Sequence, residues 1–345
     1  MAFKQLDILL GRAQGTGSAA WATEVGLSAT SPDSLFGASD FLMVADGFSL
    51  DVTQEMTAQK YATGIFDQHR SVPGTVSADA KITTYLSANN SNSTGYPDAQ
   101  ADAFAIYLLA SGMSVAQVGD EDSLTRAYWP TSNYTGWNAL TLHKYSGDLT
   151  AGNSLLTKAC GVMFNGVIKG EIGKPISLEL TGKGAVSAMP ANVDYPGGTF
   201  TQLSDVIPAV LKSSAFQIAG GTYKLLTFEW DFGNKIELVK DMTAPFGFGY
   251  AEITDRTAKW KVKVYESPYG EGTNPFGAMA AGTVTDIKIV VGTSPTELTF
   301  KTGYGSANQA QITSIKPGND NGINTWEIDG IVLNNDWAML VNDTE

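Results

Sequence analysis

The sequence predicts a mainly β protein built from two tandem small β units, each with one short α-helix. Three observations carry this. Residues 41–184 and 222–333 run through one order of elements. Within the strand segments, apolar residues alternate with polar ones. The 37 glycines, with many Ser, Thr and Asn, supply the turns that short strands need. A length of 345 residues leaves room for two cores, and 43% hydrophobic against 17% charged residues describes a folded chain.

Residues 1–40 hold a short apolar run (6–10) and then a Gly/Ala/Ser-rich stretch. They read as an N-terminal arm with one strand, outside the core. The first domain is expected over 41–186. Its opening strand contains Leu50-Asp51-Val52-Thr53, and 60–73, with Gly64, His69 and Pro73, lacks periodicity as a long hairpin tip would. In the next strand Val76, Ala78, Ala80 and Ile82 alternate with Ser77, Asp79, Lys81 and Thr83, so one face is buried and the other wet. After a polar loop, Pro97-Asp98 opens a helix that carries Phe104, Ala105, Leu108 and Leu109 on one face and ends at Gly112. Residues 114–137, with Asp120-Glu121-Asp122, read as an acidic and then aromatic connection. Strands resume at 139–144, 162–168 and 176–180.

Pro190, Pro196, Gly197-Gly198 and Pro208 place a linker at 187–221, and the second domain is expected over 222–345. Its first strand, Phe228-Glu229-Trp230-Asp231-Phe232, leads through a Gly-bearing loop to Arg256, as the first copy leads to Arg70. Ala258, Trp260, Val262 and Val264 then alternate with Lys259, Lys261 and Lys263. Asn274-Pro275 opens the second helix and Gly282 ends it. Strands follow at 287–291, 298–300, 310–315 and 325–333, with a last turn over 317–322 in which Asn321-Gly322 suits positive φ. Spacing between matched elements falls from about 180 to about 150 residues, because the second copy has shorter loops.

A net charge of −13 argues against a surface that grips nucleic acid through phosphate neutralisation. Cys160 is the single cysteine, so no intrachain disulfide forms. No basic, apolar leader opens the chain and no stretch is long enough to span a bilayer, so a soluble cytosolic product and no membrane partner are expected. Gly15-Thr16-Gly17-Ser18-Ala19-Ala20 imitates a dinucleotide fingerprint without the βαβ unit that its mechanism needs. His69 and His143 lack partners at ligand spacing, and no Gly-x-Ser-x-Gly elbow is present. Asp120-Glu121-Asp122 and Asn319-Asp320-Asn321-Gly322 read as a solvated loop and a hairpin turn rather than calcium loops. Trp230 and Trp260 fall on core parity. The Lys259, Lys261, Lys263 stripe reads as a solvated face or a charged subunit contact, with contact preferred. No enzyme and no cofactor or metal is expected.

Three stretches carry a resemblance. They are 41–88, running from strand through long loop to alternating strand; the helix 98–112; and Lys169-Gly-Glu-Ile-Gly-Lys-Pro-Ile-Ser-Leu-Glu-Leu-Thr-Gly-Lys183. Together they resemble the tail tube proteins (major tail proteins) of long-tailed bacteriophages, in the duplicated form. The resemblance implies two tandem tail-tube-like β-sandwich or barrel domains, each with one short flanking α-helix, stacked as rings around a bore, three chains giving a pseudo-sixfold ring, with strands of all subunits joined in one inner sheet. It implies self-assembly, tape measure and terminator proteins as partners, and DNA passing without specific binding. The place is the virion tail, after synthesis in the host cytoplasm. On that basis Asp51, Glu55, Glu229 and Asp231 are expected to face the lumen, where carboxylates repel phosphate. Phe66, His69, Arg70, Phe246, Phe248 and Tyr250, on two long tips, are expected to contact neighbouring rings. The competing expectations are a carbohydrate-binding or adhesive β-sandwich, or another virion β-protein such as a head decoration or tail terminator.

Overall fold

Alternation of apolar and polar side chains dictates strands, and the computed structural model is accordingly mainly β. It describes residues 6–16, 47–57, 71–87, 104–118, 125–133, 137–147, 154–193, 208–212, 215–218, 221–266, 275–292 and 297–341. The first half contributes β1 (Leu6–Thr16), β2 (Phe48–Thr57), β3 (Val72–Tyr85), α1 (Ala105–Leu109), β4 (Met113–Val118), β5 (Thr125–Pro130), β6 (Asn138–Gly147), β7 (Ser154–Glu171) and β8 (Ser177–Ala185). Between the halves come β9 (Ala191–Val193), β10 (Ala215–Ile218) and β11 (Gly221–Tyr223). The second half contributes β12 (Leu225–Asp231), β13 (Asn234–Lys240), β14 (Phe248–Arg256), β15 (Lys259–Tyr265), α2 (Pro275–Ala281), β16 (Val284–Thr285), β17 (Ile287–Val291), β18 (Leu298–Thr302), β19 (Ala310–Asp320), β20 (Ile323–Val332) and β21 (Trp337–Val341).

These strands build a sandwich. One sheet of 12 strands runs β16-β19-β20-β15-β12-β7-β8-β3-β2, with β1, β6 and β9 branching from β7. A second of seven runs β11-β10-β17-β18-β21-β5-β4, and β13 pairs with β14 as a separate hairpin. Both sheets bury residues in one continuous core, from Leu50 and Ala80 through Phe228 and Trp230 to Phe300, Trp337 and Met339. Rings meet across the layers: Trp230 lies 5.3 Å from Trp337, and Phe228 lies 5.4 Å from Phe300, centroid to centroid. Both helices end as the sequence indicates, at Gly112 (φ +73°) and Gly282 (φ +63°), and Asn321-Gly322 (φ +50° and +88°) turns β19 into β20.

Three expectations change. The arm does carry a strand, β1, but it pairs with β6 along most of its length and Leu9 is buried in the main core. The segment expected as a connection, 114–137, instead holds the antiparallel pair β4·β5, whose Ala127 and Tyr128 are fully buried. Its adjacent buried residues break the alternation that would have announced a strand. The segment expected as a linker is woven into the sandwich: β9 pairs with β7, β10 with β17, and Ala209 and Leu211 bond to the backbone of Leu86, Lys174 and Ile176.

Candidate functional site: a polar sheet face between two open edges

The large sheet contains the same four-strand unit twice, in the spatial orders β2-β3-β8-β7 and β12-β15-β20-β19. The register repeats as well. Leu50 pairs with Ala80, Ala80 with Gly182, and Gly182 with Phe164; in the second unit Trp230 pairs with Trp260, Trp260 with Gly330, and Gly330 with Ile312. Along these rows the sequences also match. Phe48-x-Leu50-Asp51 answers Phe228-x-Trp230-Asp231, Ala78-x-Ala80-Lys81 answers Ala258-x-Trp260-Lys261, and Leu178-Glu179-Leu180-Thr181-Gly182 answers Trp326-Glu327-Ile328-Asp329-Gly330. Bulk is exchanged between strands rather than kept in place. Gly182 makes room for the Phe164 ring, whereas Gly330 makes room for the Trp260 ring.

The units join through one antiparallel junction, β7 against β12, which sets Thr227 opposite Glu171, Glu229 opposite Lys169, Trp230 opposite Ile168 and Asp231 opposite Val167. Phe232 N–H donates to Gly166 C=O at 2.9 Å and Ile172 N–H to Leu226 C=O at 3.0 Å. Asn165 bolts the junction: its Nδ2 donates to Asp231 Oδ1 (3.0 Å), and its Oδ1 accepts from Asn234 N–H (2.8 Å). At the far ends the corresponding strands have no such neighbour among the described residues. β2 is the last strand on one side, and on the other β16 covers only Ala310 and Gln311 of β19.

The hairpin β13·β14 leaves the second unit and packs against β7, β8 and β3 of the first. Its Ala251 and Ile253 join Trp137, Ala139 and Met163 in a second small core. A polar knot fixes its base. Arg256 donates to Asn234 Oδ1 (2.6 Å), Ser111 C=O (2.9 Å) and Gly112 C=O (3.1 Å), which caps the carbonyl end of α1. Burial lowers the guanidinium to about 10, so it remains charged at neutral pH.

The four carboxylates expected to act together do share a face. Asp51, Glu229 and Asp231 have the parity opposite to the buried Leu50, Phe228 and Trp230, and Glu55 accepts a bond from Thr75 Oγ1 (2.9 Å) at a bulge in β3. That face is not purely acidic. Lys259 lies opposite Asp231, Lys261 opposite both Glu229 and Asp329, and Lys263 opposite Glu327. Lys261 reaches Glu327 at 3.8 Å and Lys169 reaches Glu179 at 2.6 Å. The lysine stripe therefore faces carboxylates of its own chain in the middle of a sheet. Where the units meet, the face dips into a groove of about 450 Å³ bordered by Lys169, Lys174, Glu229, Lys261, Lys263 and Glu327.

Of the residues expected on the tips, Phe66, His69 and Arg70 lie outside the described residues. Phe246, Phe248 and Tyr250 lie in the β13·β14 hairpin and are half-buried on their own chain. Phe246 packs against the main core and its carbonyl accepts from Val76 N–H at 3.1 Å, while Tyr250 packs against the second core. Met242, in the turn between β13 and β14, is fully exposed. Among the described residues no group of three or more His, Cys, Asp and Glu side chains is placed to hold a metal ion, and no helix is long and apolar enough to cross a membrane. Trp129 and Tyr304 stack on each other at 5.7 Å, with Lys301 over the tyrosine ring, so the two faces that meet are closed to a sugar.

Sequence reasoning missed the open edge of β19 and the Arg256–Asn234 knot. The first was within reach, because the match of 178–182 to 326–330 already aligns the strands beside it. The second had no signal, because Arg256, Asn234 and Ser111 come together only in the folded chain. No model of a known protein family matches the chain. No curated protein matches it either.

Proposed function

We propose that the chain is a structural protein that assembles with copies of itself into stacked rings forming a hollow tube, the tail tube of a long-tailed phage. The observation that carries this reading is the edge-to-edge junction of two like units in one chain. A junction of this kind is heterologous: each unit offers one edge and receives another, so repeating it closes a ring or grows a filament. Closure also removes the exposed edges that would otherwise invite misassembly. Three chains, each with two units, make a pseudo-sixfold ring.

In this reading the polar face of the large sheet lines the bore, bringing Asp51, Glu55, Glu229 and Asp231 to the lumen. With lysines matched by carboxylates along the strands, the lining offers no block of unopposed cations, and DNA passes without being held by counterion release. The turn of the β13·β14 hairpin, with Met242 at its outermost point, takes the contact between rings. Tape measure and terminator proteins complete the tail, and the protein works by shape and charge, without a cofactor.

Negative-stain microscopy of the concentrated, purified protein tests this, together with a glycan-binding screen. Hollow tubes or stacked rings are expected. A protein that stays monomeric at high concentration and binds a glycan would overturn the reading in favour of an adhesive sandwich.

A further inference from the structure

The junction inside the chain is a template for a junction between chains. β7 uses its first part, up to Val162, to pair with β6, and leaves 167–171 for β12. β19 repeats this division, since β16 covers its start and, among the described residues, leaves the part from Ile315 onward open. Cross-strand partners align the two strands. Val167 and Lys316 sit opposite Glu179 and Glu327, Ile168 and Pro317 opposite Leu178 and Trp326, and Lys169 and Gly318 opposite Ser177 and Thr325. On the other edge, Leu50 and Asp51 of β2 correspond to Trp230 and Asp231 of β12.

We propose that β2 of one copy pairs with β19 of the next in the register of β12 on β7, which sets Asp51 opposite Lys316 of the neighbouring copy and Leu50 opposite its Pro317. This deepens the ring reading and rests on it. Charge complementarity supports the register. Within its own chain Asp51 faces another carboxylate, Asp79, an unfavourable cross-strand pair at the sheet margin. Lys316 is two-thirds exposed, 3.8 Å from Asp329, with its edge side open. Asp79 already has Lys183 opposite it on β8, and joining the edges gives Asp51 a cation of its own.

Pro317 supports the same geometry from a different direction. Gly166 and Ile172 of β7 point their backbone groups at β12, so Ile168, of the same parity, does so too. Its counterpart Pro317 therefore faces the open edge, the place in a sheet where a residue without N–H is tolerated. The edge is blunted, and the proposed junction has one hydrogen bond fewer than its template. That defect predicts a gain: Pro317→Ile restores the donor and lowers the concentration needed for assembly by about 2- to 10-fold, the effect of one net hydrogen bond.

Disulfide trapping tests the register in the full-length protein, with the buried Cys160 replaced by alanine. Asp51→Cys combined with Lys316→Cys is expected to give a ladder of covalent oligomers on oxidation. Asp51→Cys combined with Ser314→Cys, two residues out of register, is expected to give little. Tubes seen by microscopy with trapping only in the Ser314 pair would overturn this register and leave the ring reading standing. Circular dichroism showing folded protein, with neither trapping nor rings for either pair, would overturn both. Lys316→Asp alone is expected to weaken assembly and Asp51→Lys in the same chain to restore it; no rescue counts against the ion pair.

Discussion

Replacing Arg256 by methionine tests whether the second half of the chain is clamped to the first through one buried cation. Three acceptors lose a charged donor, but not equally. Ser111 C=O keeps Asn234 Nδ2 at 2.9 Å, and Gly112 C=O keeps Thr131 N–H at 3.1 Å. Among the described residues Asn234 Oδ1 has no other donor, and Asn234 is buried. An acceptor left bare in the interior costs about 1–3 kcal/mol, and loss of the charged bonds to the two carbonyls adds a similar amount. Methionine returns part of this. Burial holds the guanidinium at about 10 instead of 12.5, a desolvation cost of about 3 kcal/mol that the variant no longer bears. Setting about 2–6 kcal/mol lost against about 3 kcal/mol returned leaves a net loss of at most about 3 kcal/mol. Urea unfolding read by tryptophan fluorescence should show it as a lower midpoint at unchanged slope. Combining Arg256→Met with Asn234→Ala should cost less than the sum of the two, because the bare acceptor disappears. Strict additivity of the two changes, within about 0.5 kcal/mol, would refute the clamp.

The other predictions address packing, acid sensitivity and the proposed lining. Gly330→Ala drives a Cβ into the Trp260 ring and to 2.5 Å from the Gln311 carbonyl, and should cost about 3 kcal/mol as overpacking against backbone; a near-neutral thermal shift would show that the sheet yields there. Asp241 accepts from the hydroxyl and the N–H of Thr243, which holds its carboxyl below the usual range. Its contribution to the hairpin turn is therefore fully present above the ordinary carboxylate pKa and lost as pH falls through the lowered value. The hydrogen-exchange protection factor of Thr243, taken against the intrinsic rate at each pH, should fall on acidification, and Asp241→Asn should abolish that pH dependence. Glu229→Lys leaves Lys169 and Lys261 facing a third cation and should make assembled protein retain DNA at low salt; a retention assay with no difference from the parent would detach this face from the DNA path.

Much of the fold was legible from one dimension. Strict alternation at 76–83 and 258–264, the glycines at 112 and 282, and Asn321-Gly322 are local rules: each needs only a residue's own backbone preferences and those of its neighbours. The common face of Asp51, Glu55, Glu229 and Asp231 was legible for the same reason, since parity along a strand puts a side chain on one side or the other. Tertiary structure alone decided which strands are neighbours. The placement of β12 beside β7, the lysines between the carboxylates and the burial of Leu9 depend on pairings between residues far apart in the chain. Residues 114–118 and 125–130 were misread because buried residues of β5 stand side by side, so the short-range pattern is silent and pairing of β4 with β5 and of β5 with β21 makes them sheet. Local chemistry determines what each segment becomes; which edges remain open, and so what the protein can join, follows from long-range pairing that no segment encodes by itself.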